Sequence, residues 1–123
     1  MVLQGAMIFV KDLERMTAFY TEVLGMKVIA ETRLETWVEF ESSGSRFSLH
    51  KIPADIASGI AIESPPVPRE RSVAKLTFEV ADVEGTLARI EAMGLSLLSR
   101  SWGSVDATDP EGNVFALQRA GHG

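Results

Sequence analysis

Among side chains that transfer protons or bind metal near neutral pH, this 123-residue chain carries two histidines and no cysteine. Without cysteine there are no disulfides, thiolate metal ligands or thiol nucleophiles. His122 stands in a glycine-rich tail, whereas His50 closes the strand-like run from Arg46 to Lys51, two positions beyond Ser48 and so on the same face. A histidine so placed either rests half-buried on a neighbouring hydrogen bond or acts as a ligand or proton carrier, and one imidazole alone does not make a metal site. Glu39, Glu79 and Asp106 are the carboxylates that could serve as a base. Lys75 shares strand parity with Thr77 and Glu79, so Lys75 and Glu79 can face one way and orient a polar ligand. No partner constellation marks an acid–base pair, so His50, Glu79 and Glu39 stand as catalytic candidates beside the plainer reading of solvated side chains.

Aromatic and apolar residues make the case for binding. Trp37 and Trp102 fall in strand regions that correspond if the chain is duplicated, where flat side chains could close on a planar ligand; core or interface packing is the competing role. Met7 and Phe9 share parity and can floor a binding surface next to Ser48 and His50. Arg33, Arg46 and Arg100 could meet an anion, although arginines at strand ends usually face solvent.

Positioning these groups requires the elements around them, and those elements come in pairs. Phe9-Val10-Lys11-Asp12-Leu13-Glu14 returns as Glu79-Val80-Ala81-Asp82-Val83-Glu84, Leu24-Gly25-Met26 as Met93-Gly94-Leu95, and Ser43 to Leu49 as Glu111 to Leu117. An internal duplication explains the recurrence. Each copy begins with an apolar run, Met7 to Val10 or Leu76 to Val80, that delivers the chain to an aspartate. Asp12 and Asp82 read as helix N-caps, with Glu14 and Glu84 adding negative charge where the helix dipole favours it. Leu13, Met16, Tyr20, Val23 and Leu24, then Val83, Leu87, Ile90 and Met93, recur at helical spacing and predict one buried face per helix, with Phe19 also a packing residue. Gly25 and Gly94 stand at the helix ends, where a left-handed residue is commonly required.

Strands are predicted over Lys27 to Thr32, Thr36 to Phe40, Arg46 to Lys51, Ser96 to Ser99 and Val114 to Gln118, with Asp109-Pro110-Glu111-Gly112-Asn113 as a hairpin turn. The proline-rich stretch Pro53 to Ser72 reads as the linker, giving module one over about 1–52, a linker over about 53–72 and module two over about 73–120 within one domain of 1–123. The expected fold class is α+β: two tandem βαβββ modules forming a curved mixed sheet, with helices on one side and a concave ligand trough on the other.

With 46% apolar and 24% charged residues, the chain has an ordinary globular composition. A net charge of −5 without a basic cluster argues against nucleic acid and anionic membrane as partners, and no apolar run approaches the roughly 20 residues of a membrane span. No signal-like segment opens the chain, so a cytoplasmic location is expected.

The pattern Val10-x-Asp12-Leu13-Glu14, Phe19 to Met26, Phe78-x-Val80-x-Asp82-Val83 and Asp109 to Asn113 resembles the vicinal oxygen chelate superfamily, which includes glyoxalase I, the extradiol dioxygenases, and the fosfomycin and bleomycin resistance proteins. The resemblance covers nearly the whole chain. It implies a homodimer, because the fold usually completes its trough or covers its edges with a second chain. Its metalloenzymes carry a histidine five residues before the valine of each Val-Asp motif and a glutamate before the last leucine of each copy. Those four positions here are Gly5, Lys75, Ser48 and Ala116, which offer neither imidazole nor carboxylate, so no metal and no cofactor are expected.

Two functional readings follow, with a third beside them. One is a small-molecule-binding protein of the glyoxalase/bleomycin resistance type that has lost the metal quartet and sequesters an apolar or aromatic compound. Its contacts would be Trp37, Trp102, His50, Lys75, Met7, Phe9 and Ser48. The other is a glyoxalase- or dioxygenase-like lyase or oxidoreductase that rearranges a metal site around His50 or works by metal-free acid–base chemistry. A domain that only dimerises or regulates a partner is the third.

Overall fold

The computed structural model describes residues 1–119; His122 lies outside the described residues. The chain divides into two compact units, the first ending at Ala61 and the second beginning at Ile62. Both are mixed α+β units, one with a three-stranded sheet and one with a four-stranded sheet.

In the first unit β1 (Gly5–Val10) leads through Asp12 into α1 (Leu13–Ala18). The Asp12 carboxylate accepts a 3.0 Å hydrogen bond from the Arg15 amide, the N-cap its position predicts. Past Ala18 the helix widens into a π turn over Phe19–Val23, and Gly25 ends it at φ 76°. The widened turn packs Phe19 and Tyr20 together against the sheet: the Tyr20 ring lies 5.2 Å from Phe19, 5.2 Å from Phe47 and 6.0 Å from Phe40. Fully burying such side chains is worth about 1.5–3 kcal/mol each, which makes this cluster the main bond between helix and sheet.

The sheet order is β1-β3-β2, with β2 at Trp37–Phe40 and β3 at Arg46–Lys51. β1 runs parallel to β3, and β2 antiparallel to it. Val10, Val38, Phe40, Phe47 and Leu49 are buried on the helix side. The strand expected over Lys27 to Thr32 is instead one bridge, Val28 to Phe40, followed by a 3-10 turn at Ala30–Thr32. Two hydrogen bonds still tie the segment to β2: the Ile29 amide donates to the Glu39 carbonyl and the Glu41 amide to that of Lys27, both at 2.8 Å. Beyond Ile29 only the small Ala30 is apolar before Glu31 and Thr32, and the chain turns away.

The second unit realises the βαβββ order in full: β4 (Leu76–Val80), α3 (Val83–Ala92), β5 (Leu97–Ser99), β6 (Val105–Thr108) and β7 (Val114–Arg119). Its sheet order is β4-β7-β6-β5. The Asp82 carboxylate caps α3 by accepting from the Gly85 amide at 3.0 Å, and Gly94 follows the helix at φ 79°. Ile90 is buried as expected, whereas Met93, at the C-cap, is exposed.

Asp109 to Asn113 forms the expected β6–β7 hairpin. Buried Asp109 accepts from the Glu111 amide (2.9 Å), the Asn113 amide (3.0 Å) and the Asn113 side chain (2.8 Å).

The segment read as a linker is more ordered than its composition implies. A short helix, α2 (Ala54–Ala57), closes the first unit, and the Lys11 ammonium donates to the Ile60 carbonyl there. The remainder straps onto the second unit: the Arg69 amide donates to the Gly112 carbonyl at 2.8 Å, and Arg69 Nε to the Glu111 carbonyl at 3.1 Å. Prolines remove donors without preventing a strap whose few remaining amides find carbonyls.

Candidate functional site

On β1, β2 and β3 the face opposite the helix carries most of the candidate residues. Register pairs Met7 with Ser48 and Phe9 with His50 on one side of β3, and Glu39 with Ser48 and Trp37 with His50 on the other. Partners in register share a face, so two rows lie across the strands: Met7–Ser48–Glu39, and Phe9–His50–Trp37. The second row is a contact row: the His50 ring lies 5.5 Å from Phe9 at 74° and 6.0 Å from Trp37 at 62°, both edge-to-face. Met7 and Phe9 remain 42% and 57% exposed. His50 is half-buried, as its position implies, but its buried Nδ1 has no hydrogen-bond partner among the described residues.

Glu39 is buried in this face, its side chain 11% exposed, with Arg46 Nε 3.6 Å away on a guanidinium that is 75% exposed. At that separation the pair is electrostatic, without a hydrogen bond, and the carboxylate keeps its acceptor capacity. Beside it opens a groove of about 710 Å³, lined by Ile29, Thr32, Glu39, Phe40, the turn Glu41 to Gly44, and Arg46.

The second unit places its polar residues differently. Asp106, 1% exposed, accepts from Arg100 Nε at 2.8 Å and from the Lys75 ammonium at 3.1 Å; Arg100 Nη1 also reaches Glu70 on the strap at 2.8 Å. Hydrogen bonds to Glu70 and to Asp106 raise the Arg100 pKa above its ordinary value. Lys75 is therefore committed to Asp106 rather than simply standing beside Glu79, which is exposed on the same face by register. Thr108, fully buried on β6, has a hydroxyl with no hydrogen-bond partner among the described residues.

Trp102 is not in a strand. It sits in the turn between β5 and β6, 72% exposed, because Gly103 at φ 97° and the Arg100–Ser104 hydrogen bond make that stretch a turn. The structural counterpart of Glu39 is Asp106, since Glu39 pairs with Ser48 and Asp106 with Ala116. Arg33 is exposed beyond the 3-10 turn. The Glu39–Arg46 pair and the groove were missed by strand parity. The antiparallel register, which sets Arg46 diagonal to Glu39, is the signal that points to them.

The four positions that the family resemblance marks for metal ligands do not suit a divalent ion. A side chain at Gly5 would put its Cβ 2.6 Å from the Arg46 carbonyl oxygen, Lys75 brings a positive charge already paired with Asp106, and Ser48 and Ala116 supply no carboxylate. Among the described residues no three His, Asp or Glu side chains gather as a metal site. No helix among them is long and apolar enough to cross a membrane.

Solved structures share this fold. A glyoxalase/bleomycin resistance protein/dioxygenase family enzyme from Burkholderia phytofirmans PsJN is 22% identical, with 97% of this chain and 98% of that one covered and a TM-score of 0.66. Fosfomycin resistance protein FosX from Listeria monocytogenes is 20% identical (94% and 89% covered, TM-score 0.68), and lactoylglutathione lyase from Agrobacterium tumefaciens 22% identical (96% and 92%, TM-score 0.59). No curated protein sequence matches the chain. The family model for the Glyoxalase/Bleomycin resistance protein/Dioxygenase superfamily matches residues 3–117, and the chain belongs to that superfamily.

Proposed function

We propose that the protein binds a small apolar or aromatic molecule on the open face of its first sheet, without a divalent metal. The observation that carries this reading is the row Phe9–His50–Trp37 with Met7 beside it: exposed Met7 and Phe9 adjoin half-buried Trp37 and His50 on one regular face rather than being scattered singly. Covering such surface gains about 25 cal/mol for each Å² removed from water, and edge-to-face rings offer a planar ligand both faces and edges to pack on. The unsuitable donor set at Gly5, Ser48, Lys75 and Ala116 supports the metal-free part of the reading.

Elemental mass spectrometry of protein purified without chelator, then thermal shift with added divalent ions, tests the metal-free part. Stoichiometric metal that raises the melting temperature and is lost in His50→Ala would overturn it. Titration with aromatic compounds, followed by the Trp37 indole signal, tests the binding face.

One observation favours a second reading, metal-free acid–base chemistry: the buried His50 Nδ1 has no partner among the described residues and shares its face with Glu39. Turnover of an aromatic ligand that disappears in both His50→Gln and Glu39→Gln would establish it. A homodimer in the cytoplasm remains the proposed setting, and light scattering on the purified protein reads its mass.

A further inference from the structure

We infer that the ligand of the first sheet carries a protonated amine, and that Glu39 is its anchor in the adjoining groove; the inference rests on the binding face proposed above. Along β2, Trp37 and Glu39 are two residues apart and face the same way, so the aromatic row and the carboxylate are separated by roughly 7 Å. The bridge of Val28 to Phe40 gives Ile29 the parity of Glu39, and Ile29 lines the groove on the far side of the carboxylate. One face thus runs from aromatic to ionic along the strand direction. Glu39 belongs to both parts: it is in the row with Ser48 and Met7, and it lines the groove.

Charge decides the sign of the ligand group. The groove brings two carboxylates, Glu39 and Glu41, against one guanidinium, Arg46. Arg46 is mostly in solvent and 3.6 Å from Glu39, so water already satisfies much of its charge, whereas the Glu39 side chain is 11% exposed and accepts no hydrogen bond from a described residue. A largely buried carboxylate whose acceptor sites open on a groove gains most from an N–H donor that is itself charged. Thr32 and Ser43, also on the groove wall, offer hydroxyls that can accept the other ammonium hydrogens.

Three probes of similar shape test the inference: 2-phenylethylamine, 2-phenylethanol and 3-phenylpropionate, titrated at constant ionic strength into uniformly 15N-labelled protein. The indole signal of Trp37, assigned by its loss in Trp37→Phe, reports occupancy. The expected result is binding of the amine at least tenfold tighter than the alcohol and tighter still than the acid, with that preference abolished in Glu39→Gln and enlarged in Arg46→Gln. Two substitutions of opposite expected effect guard against mere loss of folding, which the dispersion of each spectrum also reads. Equal binding of all three probes, or a preference for the acid, overturns the amine anchor and leaves the aromatic face standing. No perturbation of Trp37 by any probe overturns the binding face and the anchor with it.

Discussion

A Gly5→Ala substitution puts one methyl group into the parallel pairing of β1 and β3, 2.6 Å from the Arg46 carbonyl oxygen and 2.9 Å from the Arg46 Cβ. Ordinary contact lies near about 3.5 Å, so the strands must part by roughly 0.9 Å. The hydrogen bond from the Arg46 amide to the Gln4 carbonyl, 2.8 Å long, would then stretch past the length at which it counts as one. Losing it costs about 1 kcal/mol, and the overpacking adds about 1–3 kcal/mol. Because residues 1–4 are exposed and can peel away, the lower part of that range applies, about 2 kcal/mol in all. Gly59 is the control: a Cβ there meets nothing closer than 3.6 Å, and Gly59→Ala should be neutral or stabilise by a few tenths of a kcal/mol through the unfolded chain. Urea unfolding followed by circular dichroism reads both, and with a slope near about 1.5 kcal/mol per molar the Gly5→Ala midpoint should fall by more than about 1 M. If Gly5→Ala stays within about 0.5 kcal/mol of the parent, the crowding at Gly5 is not real, and with it goes the steric argument that this position rejects a metal-binding side chain.

Three further outcomes are expected. Asp109→Ala leaves two backbone amides and the Asn113 amide group without their acceptor, and should cost about 3 kcal/mol in the same unfolding assay, with Asp109→Asn costing less because one carbonyl oxygen remains. Asp12→Ala and Asp82→Ala each remove one N-cap and should each cost about 1 kcal/mol, adding in the double variant because the caps are independent. The Arg100 pKa is raised, so its stabilising contribution is complete below the ordinary arginine value and is lost only as pH rises through the higher folded one. Unfolding midpoints of the parent should therefore show no loss traceable to Arg100 up to about pH 11, whereas Arg100→Lys, whose ammonium has an unfolded value near about 10.4, should begin to weaken only as pH climbs past that value.

Local chemistry made much of the fold readable. The duplicated Val-x-Asp pattern specifies strand, cap and helix through interactions spanning a few residues, and both caps and both left-handed glycines are where those interactions require them. The failures were equally physical. Lys27 to Thr32 has strand propensity but only a short antiparallel bond to β2 to hold it, and Trp102 was assigned a strand from its rough position in the repeat although Gly103 makes the stretch a turn. Pro53 to Ser72 looked like a linker because proline content reports missing donors and says nothing of distant carbonyls that can receive Arg69.

For the candidate site the division is similar. Strand period alone put Met7 with Phe9 and Ser48 with His50, since alternation is a property of the extended chain, while the register of β1 on β3 brought the two pairs to one face. That Glu39 is buried beside Arg46, that Asp106 rather than Glu79 takes the Lys75 ammonium, and that a groove opens next to Glu39 were decided by which strands pair and in what register. Register is a long-range property, set by the burial of Val38, Phe40, Phe47 and Leu49 on the opposite face. A slip of one residue in any strand would have exchanged every inward and outward side chain while leaving the amino-acid sequence unchanged.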